Sequence, residues 1–131
     1  MSTPATVALT RAGLPFRTRA YAHDPSVESY GLEAARATGV PAERIFKTLL
    51  VDTGSGLAVA VVPVSGSLDL KAVAVALGVK RVTMADPASA ERSSGYVVGG
   101  ISPIWQRRAL PTFIDGRRRR TPSRTSRRRS R

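Results

Sequence analysis

Two apolar segments separated by a short polar turn constrain the fold of this chain more than any other feature. Residues 45–51 (IFKTLLV) and 57–64 (LAVAVVPV) each have the length and aliphatic content of a strand, and DTGSG stands between them. Aliphatic β-branched residues favour strands, and short turns rich in Asp and Gly connect antiparallel neighbours. The sequence therefore predicts a β-hairpin over residues 45–64.

Further strands and capped helices alternate around this hairpin. Strands are predicted for residues 16–22 (FRTRAYA), 80–85 (KRVTMA) and 110–115 (LPTFID). Four helical segments each begin near a Ser, Thr or Asp and end at a glycine, the residues that favour helix starts and stops. The predicted N-caps are Thr3, Ser29, Ser67 and Asp86, and the predicted stops are Gly13, Gly39, Gly78 and Gly95. This order predicts a mixed α/β fold, with several short strands and with helices on the outside.

The last sixteen residues, 116–131 (GRRRRTPSRTSRRRSR), have a different composition from the rest. Residues 117–131 contain nine arginines and no acid, so they supply +9 of the formal net charge of +12. A segment without apolar side chains buries no surface that could offset its ordering entropy. We expect a folded domain over residues 1–115 and a disordered tail over 116–131. The tail is compatible with RNA binding and with an out-of-frame stretch of a GC-rich gene.

Composition excludes several classes of site. The chain has no cysteine and one histidine, His23, which argues against thiolate chemistry, disulfides and a histidine-based metal site. We expect no cofactor. The longest apolar run, residues 57–64, is too short to span a bilayer, and we expect a cytoplasmic protein without a membrane segment.

Three places could carry chemistry. Lys47 lies within an apolar strand, where a lysine can bind an anion or polarise a carbonyl, although an edge-strand lysine fits equally well. Gly99 and Gly100 precede a polar turn, where backbone N–H groups can face an oxygen, although a simple tight turn has the same pattern. Tyr21 could donate a hydrogen bond at a pocket rim or serve only in packing.

Four motifs together resemble a known family. The strings FKTLL, LDLKAVA, MADP and GYVVGGISP are similar to those of the YbaK/EbsC family of aminoacyl-tRNA deacylases, which are related to the editing domain of prolyl-tRNA synthetases. The resemblance covers residues 5–115. It implies a central mixed sheet or barrel with flanking helices, no metal, and hydrolysis of mischarged tRNA, typically cysteine on proline tRNA.

The same resemblance implies roles for individual residues. It places catalysis on Lys47 and on the backbone of Gly100 and Ile101. It assigns substrate binding to Tyr21, Thr48, Gly99 and Ser102. The implied partners are the 3′ end of an aminoacyl-tRNA and, as a further candidate, prolyl-tRNA synthetase.

The chain departs from the family pattern after residue 115. Family members continue with a segment resembling YVSGGxRGLDxEL, which supplies further strands and one wall of the pocket, and here the arginine tail stands in its place. We therefore expect a truncated or frameshifted C-terminus. The alternative to a deacylase is an inactive editing domain that only binds tRNA. Binding by the tail would weaken steeply with salt and ignore the attached amino acid, whereas deacylation would depend on it.

Overall fold

The computed structural model describes residues 2–22, 24, 26 and 30–115. The predictions of Ser29 as an N-cap and of a disordered tail over 116–131 fall on residues outside this part of the chain. His23 also lies outside it. The elements in chain order are α1 (Pro4–Arg11), α2 (Tyr30–Thr38), a 3₁₀ turn (Ala42–Arg44), β1 (Phe46–Asp52), β2 (Leu57–Pro63), α3 (Leu70–Leu77), β3 (Thr83–Met84), α4 (Pro87–Ser94) and β4 (Thr112–Ile114).

The four strands form one mixed sheet, as the family resemblance implies. Their order is β3-β1-β2-β4, with β1 antiparallel to β2 and to β3, and β2 parallel to β4. Within the described residues β3 and β4 each pair on one side only, so the sheet is open. The barrel that the family resemblance left as an alternative is therefore not formed by this part of the chain.

The predicted hairpin is confirmed and forms the centre of the sheet. The pairing runs from Phe46 opposite Pro63 to Asp52 opposite Leu57. At the turn, the Thr53 N–H donates to the Gly56 carbonyl at 2.9 Å, and the Asp52 carboxylate accepts from the Gly54 N–H at 2.8 Å. Asp and Gly at these positions therefore supply the hydrogen bonds and the left-handed backbone that close the turn.

Each face of the hairpin carries its own apolar cluster, because side chains alternate along a strand. On the first face, Val51 and Ala58 pack with Val73 and Ala74 of α3, and Phe113 of β4 joins them. On the second face, Leu50 and Val59 pack with Ala90 of α4, and the partly buried members of this cluster are Leu57, Val61, Ala85, Ile101 and Leu110. The sheet is therefore covered on both sides, by α3 on one and α4 on the other.

Helix α4 begins and ends as its sequence predicts. The Asp86 carboxylate accepts a hydrogen bond from the Ser89 N–H at 3.2 Å, Pro87 occupies the first turn, and Gly95 ends the helix with φ of +83°. The prediction for α1 is confirmed in the same way, with Thr3 as its N-cap. A capping side chain satisfies N–H groups that the helix itself leaves unpaired.

Three sequence predictions need correction. Residues 16–22 are exposed and form no strand, because alternation in FRTRAYA leaves only Phe16, Thr18 and two alanines on one side, too little apolar surface for a core. The N-cap of α3 is Asp69, whose carboxylate accepts from the Ala72 N–H at 3.0 Å, and not Ser67. The strand predicted over 80–85 contracts to Thr83–Met84.

Among the described residues no helix is both long enough and apolar enough to cross a membrane.

Candidate functional site

Lys47 and Thr48 lie near the start of β1 and point to opposite faces of the sheet. Lys47 pairs with Val62 and Thr48 with Val61, so Lys47 shares the face of Val51. Lys47 is half-buried, and its side chain has no hydrogen bond or ion pair with any described residue. A half-buried ammonium group without a carboxylate partner is suited to binding an anion.

A cavity of about 280 Å³ opens on the face that carries Lys47. It lies where β2 and β4 meet the start of α3, and its lining residues are Val62, Ser67, Leu68, Asp69, Ala72, Phe113 and Asp115. Lys47 does not line this cavity, but its pairing partner Val62 does. The first face therefore combines a cation with a nearby concave surface.

The segment around Gly99 and Gly100, between α4 and β4, forms a tight turn, and we refer to it as the glycine loop. The Gly100 N–H donates to the Val97 carbonyl at 2.9 Å, and Gly99 has a φ of +95°. The N–H groups of Gly99 and Ile101 form no hydrogen bond with described residues. The turn therefore uses the N–H group of Gly100, one of the backbone donors predicted to line the site. The N–H groups of Gly99 and Ile101 remain available to a ligand.

The ring of Tyr30 lies directly against Gly99. A Cβ atom built on Gly99 would stand 2.6 Å from Cε2 of this ring, closer than any side chain tolerates. Glycine is therefore required at position 99 by a left-handed backbone and by a ring that approaches it, whereas a Cβ atom on Gly100 would make only ordinary contacts. The role of Tyr30 is not visible in the sequence, because an aromatic residue beside a predicted helix start carries no signal of a contact made almost seventy residues away.

The start of α2 connects the glycine loop to the end of the hairpin. Gly31 follows Tyr30, and a Cβ atom on Gly31 would stand 2.5 Å from Cγ2 of Val64. The Val64 N–H in turn donates to the Ile45 carbonyl at 2.7 Å, two residues before Lys47. Two adjacent residues of α2 therefore contact the glycine loop and the strand end near Lys47.

Hydrogen bonds within the loop position Ser102. Its hydroxyl accepts from the Ile104 N–H at 3.1 Å, and its carbonyl accepts from the Gln106 side chain at 3.0 Å. The hydroxyl of the buried Tyr96 donates to the Ile104 carbonyl at 2.7 Å. Ser102 therefore shapes the turn through bonds that its own chain neighbourhood provides.

The structure brings some of the predicted site residues together and separates others. Ile101 packs in the cluster of the second face, which also contains Val61, the partner of Thr48. Thr48 and Ile101 thus belong to one face, while Lys47 belongs to the other. Tyr21 is exposed, lies in no strand and forms no hydrogen bond with a described residue. Nowhere in residues 2–22, 24, 26 and 30–115 do three potential ligands from His, Cys, Asp or Glu cluster to hold a metal ion.

Comparisons with known proteins agree on one family. The family model described as the aminoacyl-tRNA editing domain matches residues 24–123. The chain is 42% identical over 81 residues to "Putative Cys-tRNA(Pro)/Cys-tRNA(Cys) deacylase EbsC" of Enterococcus faecalis, a match that covers 61% of this chain and 49% of that protein. The chain thus spans about half the length of this curated relative.

Two solved structures resemble the fold. A "putative trans-editing enzyme for prolyl tRNA synthetase" matches with a TM-score of 0.62 and 26% identity, covering 66% of this chain and 55% of that one. The hypothetical protein APE2540 matches with a TM-score of 0.72 and 24% identity, covering 86% of this chain and 73% of that one, and shows the fold alone.

Proposed function

Because this chain belongs to the aminoacyl-tRNA editing domain family, we propose that it hydrolyses the ester bond of mischarged aminoacyl-tRNA. The match of the family model over residues 24–123 carries this proposal. The relative is named as a deacylase of Cys-tRNA(Pro) and Cys-tRNA(Cys), which supports a cysteinyl ester as the substrate. Of these two we propose cysteine on proline tRNA, with the 3′ end of the tRNA bound in the cytoplasm. Prolyl-tRNA synthetase is the proposed partner, because the matched trans-editing structure is named for it.

The proposed reaction needs no nucleophile from the protein. The cysteinyl thiolate attacks its own ester carbonyl, a C–S bond forms, and the C–O bond to the ribose breaks as that oxygen takes up a proton. Water then opens the cyclic thioester and releases free cysteine. Attack within one molecule can reach an effective molarity of about 10⁵ M or more. The protein then has to hold the substrate in the reactive conformation and to stabilise the negative charge that develops on the carbonyl oxygen.

The described residues offer two groups for this task. The N–H groups of Gly99 and Ile101, which form no hydrogen bond with described residues, are proposed to stabilise the negative charge that develops on the carbonyl oxygen, with Gly100 holding the turn between them. Loss of one such donor typically costs about 3 kcal/mol in the transition state. Lys47 is proposed to bind a phosphate or the ribose of the terminal adenosine, with Thr48, Ser102 and Tyr21 as further substrate contacts.

A deacylation assay on Cys-tRNA(Pro) tests the proposal. The full chain, Lys47→Ala and the matched control Lys71→Ala are compared, because Lys71 is an exposed lysine of α3 with no assigned role. We expect cysteine release by the full chain and by Lys71→Ala, and a loss of at least tenfold for Lys47→Ala at unchanged circular dichroism. Equal rates in all three would remove Lys47 from the site. Binding of tRNA without cysteine release by the unmodified chain would instead favour the tRNA-binding module.

A further inference from the structure

A second concave surface lies on the other side of the sheet, beside α4. It is a cavity of about 550 Å³, within the size range of ligand pockets. The end of the hairpin turn, one side of α4 and the segment before β4 line it. The lining residues are Gly56, Leu57, Ser89, Arg92, Ser93, Arg107, Arg108 and Leu110. We refer to it as the arginine cavity.

Three exposed arginines line the arginine cavity, and no carboxylate of a described residue lines it. None of the three arginines forms an ion pair with a residue in the described part of the chain, and Arg92 donates only to the Ser89 hydroxyl at 3.3 Å. Like charges that line one cavity without a counterion repel one another. An anion in the cavity would relieve this repulsion and accept the bidentate hydrogen bonds that guanidinium groups form with phosphate.

Arg107 and Arg108 are attached to a fixed backbone. The Arg107 N–H donates to the Ser94 carbonyl at 2.9 Å, and the Arg108 N–H donates to the Ser93 carbonyl at 3.0 Å. These bonds join the two arginines to the last turn of α4. The Arg107 side chain also crosses the end of this helix, since a Cβ atom on Gly95 would lie 3.7 Å from its Nε. The backbones of Arg107 and Arg108 are therefore held at the end of α4 before any ligand binds.

The lining of the arginine cavity also contains a buried polar side chain, Ser93. It is 8% exposed, it lines the cavity, and its buried hydroxyl has no hydrogen-bond partner among the described residues. A buried hydroxyl without a partner costs about 1–3 kcal/mol. Such groups are rare in folded proteins and often mark a place where a ligand or water supplies the missing bond.

The arginine cavity adjoins the glycine loop. Leu57 and Leu110 line the cavity and belong to the same apolar cluster as Ile101. Helix α4, which carries Arg92 and Ser93, leads through Gly95 directly into the loop. A polyanion bound in the cavity would therefore lie beside the proposed position of the aminoacyl ester.

We propose that the arginine cavity binds backbone phosphates of the RNA whose 3′ end enters the glycine loop. The choice of RNA as the source of the phosphate rests on the proposed function. The recognition is by charge and backbone geometry, so it is independent of the attached amino acid and of base sequence. Each phosphate contact displaces condensed counterions, so binding through this cavity depends on salt.

The test measures binding of an uncharged tRNA(Pro) transcript to the full chain at a series of KCl concentrations. The Arg92→Gln/Arg107→Gln variant is compared with Arg11→Gln/Arg17→Gln, which removes the same charge from exposed positions on and after α1. All variants retain residues 117–131, so the tail contributes equally to each. We expect the cavity variant to bind about tenfold or more weakly. The negative slope of log K against log salt should become shallower by about 0.7–0.9 for each arginine removed. The control pair should keep the affinity and the slope of the unmodified chain.

Equal affinities and slopes in the two variants would overturn the proposal. Calorimetric titration with inorganic phosphate provides the second arm. Phosphate binding that is lost in the cavity variant, with RNA binding unchanged, would identify a site for free anions and overturn the assignment to RNA. Because the transcript is uncharged, the outcome is separate from that of the deacylation assay. If the cavity variant binds RNA more weakly but the unmodified chain releases no cysteine, the cavity proposal stands and the proposed reaction does not. If the unmodified chain releases cysteine but the cavity variant binds RNA normally, the reaction stands and the cavity proposal does not.

Discussion

Gly99 and Tyr30 are in contact across almost seventy residues of chain, with the ring lying where a side chain at Gly99 would have to stand. A Cβ atom there would be 2.6 Å from Cε2 and 2.9 Å from Cδ2 of the ring. The backbone at Gly99 is also left-handed, with φ of +95°. The glycine loop is therefore held in place by α2 and by its own turn together.

Gly99→Ala should destabilise the protein through both the contact and the backbone. Left-handed backbone costs a residue with a Cβ atom about 1–2 kcal/mol, and displacement of the Tyr30 ring adds to this cost. Gly54→Ala is the matched control, because Gly54 has φ of +93° and nothing within 4 Å of its Cβ position. Urea denaturation should show a larger loss of unfolding free energy for Gly99→Ala. In a Tyr30→Ala background the two losses should become equal, and a persistent difference would contradict the role of the ring.

Gly31→Ala should lower stability although alanine is the better helix former. In an exposed helix this change stabilises by up to about 1 kcal/mol. Here the new methyl group would stand 2.5 Å from Cγ2 and 2.7 Å from Cγ1 of the buried Val64. We expect the melting temperature to fall for Gly31→Ala and to fall less when the same change is made in Val64→Ala. A higher melting temperature for the single variant would mean that α2 can move away from the hairpin without cost.

Asp69→Ala and Ser67→Ala distinguish the observed N-cap of α3 from the one predicted by sequence. Asp69 accepts from the Ala72 N–H at 3.0 Å, and Ser67 forms no bond to α3. Loss of a cap costs about 1 kcal/mol. Chemical denaturation should show this loss for Asp69→Ala and a change within about 0.5 kcal/mol for Ser67→Ala. The opposite order would restore Ser67 as the cap.

Ser93→Ala should not lower stability, because the hydroxyl it removes has no partner among the described residues. Removal of a buried unpaired hydroxyl avoids a desolvation cost of about 1–3 kcal/mol, so the free energy of unfolding should stay constant or rise. Ser94→Ala is the control, because the Ser94 hydroxyl accepts a hydrogen bond from the Tyr96 N–H at 3.1 Å, and its removal should lower the free energy of unfolding. A clear destabilisation by Ser93→Ala would show that its hydroxyl is hydrogen-bonded in solution.

Local rules were sufficient wherever a structural feature depends on neighbouring residues. The hairpin follows from two aliphatic segments around DTGSG, and α4 follows from Asp86, Pro87 and Gly95. The same rules failed at residues 16–22, where an alternating pattern had no apolar face large enough to bury. They also failed at the start of α3, where Ser67 and Asp69 are equally good caps by type and only the backbone decides between them.

The candidate site divides in the same way. A lysine within an apolar strand and a Gly-Gly turn are visible in sequence, and so is a resemblance in four motifs. The pairing register then assigns Lys47 and Ile101 to opposite faces of the sheet, which neither motif could indicate. The sequence does not indicate that Arg92 and Arg107 line one cavity, because they are fifteen residues apart in different segments.

By itself, the sequence determined the alternation of strands and capped helices, the hairpin and the family, because these depend on residue types at fixed short separations. The tertiary structure alone decided that Tyr30 covers Gly99 and that Gly31 abuts Val64. It also decided that three arginines line one cavity with Ser93, whose hydroxyl has no partner among the described residues. Such contacts depend on how elements pack, and packing is the joint outcome of many weak apolar contacts spread over the chain.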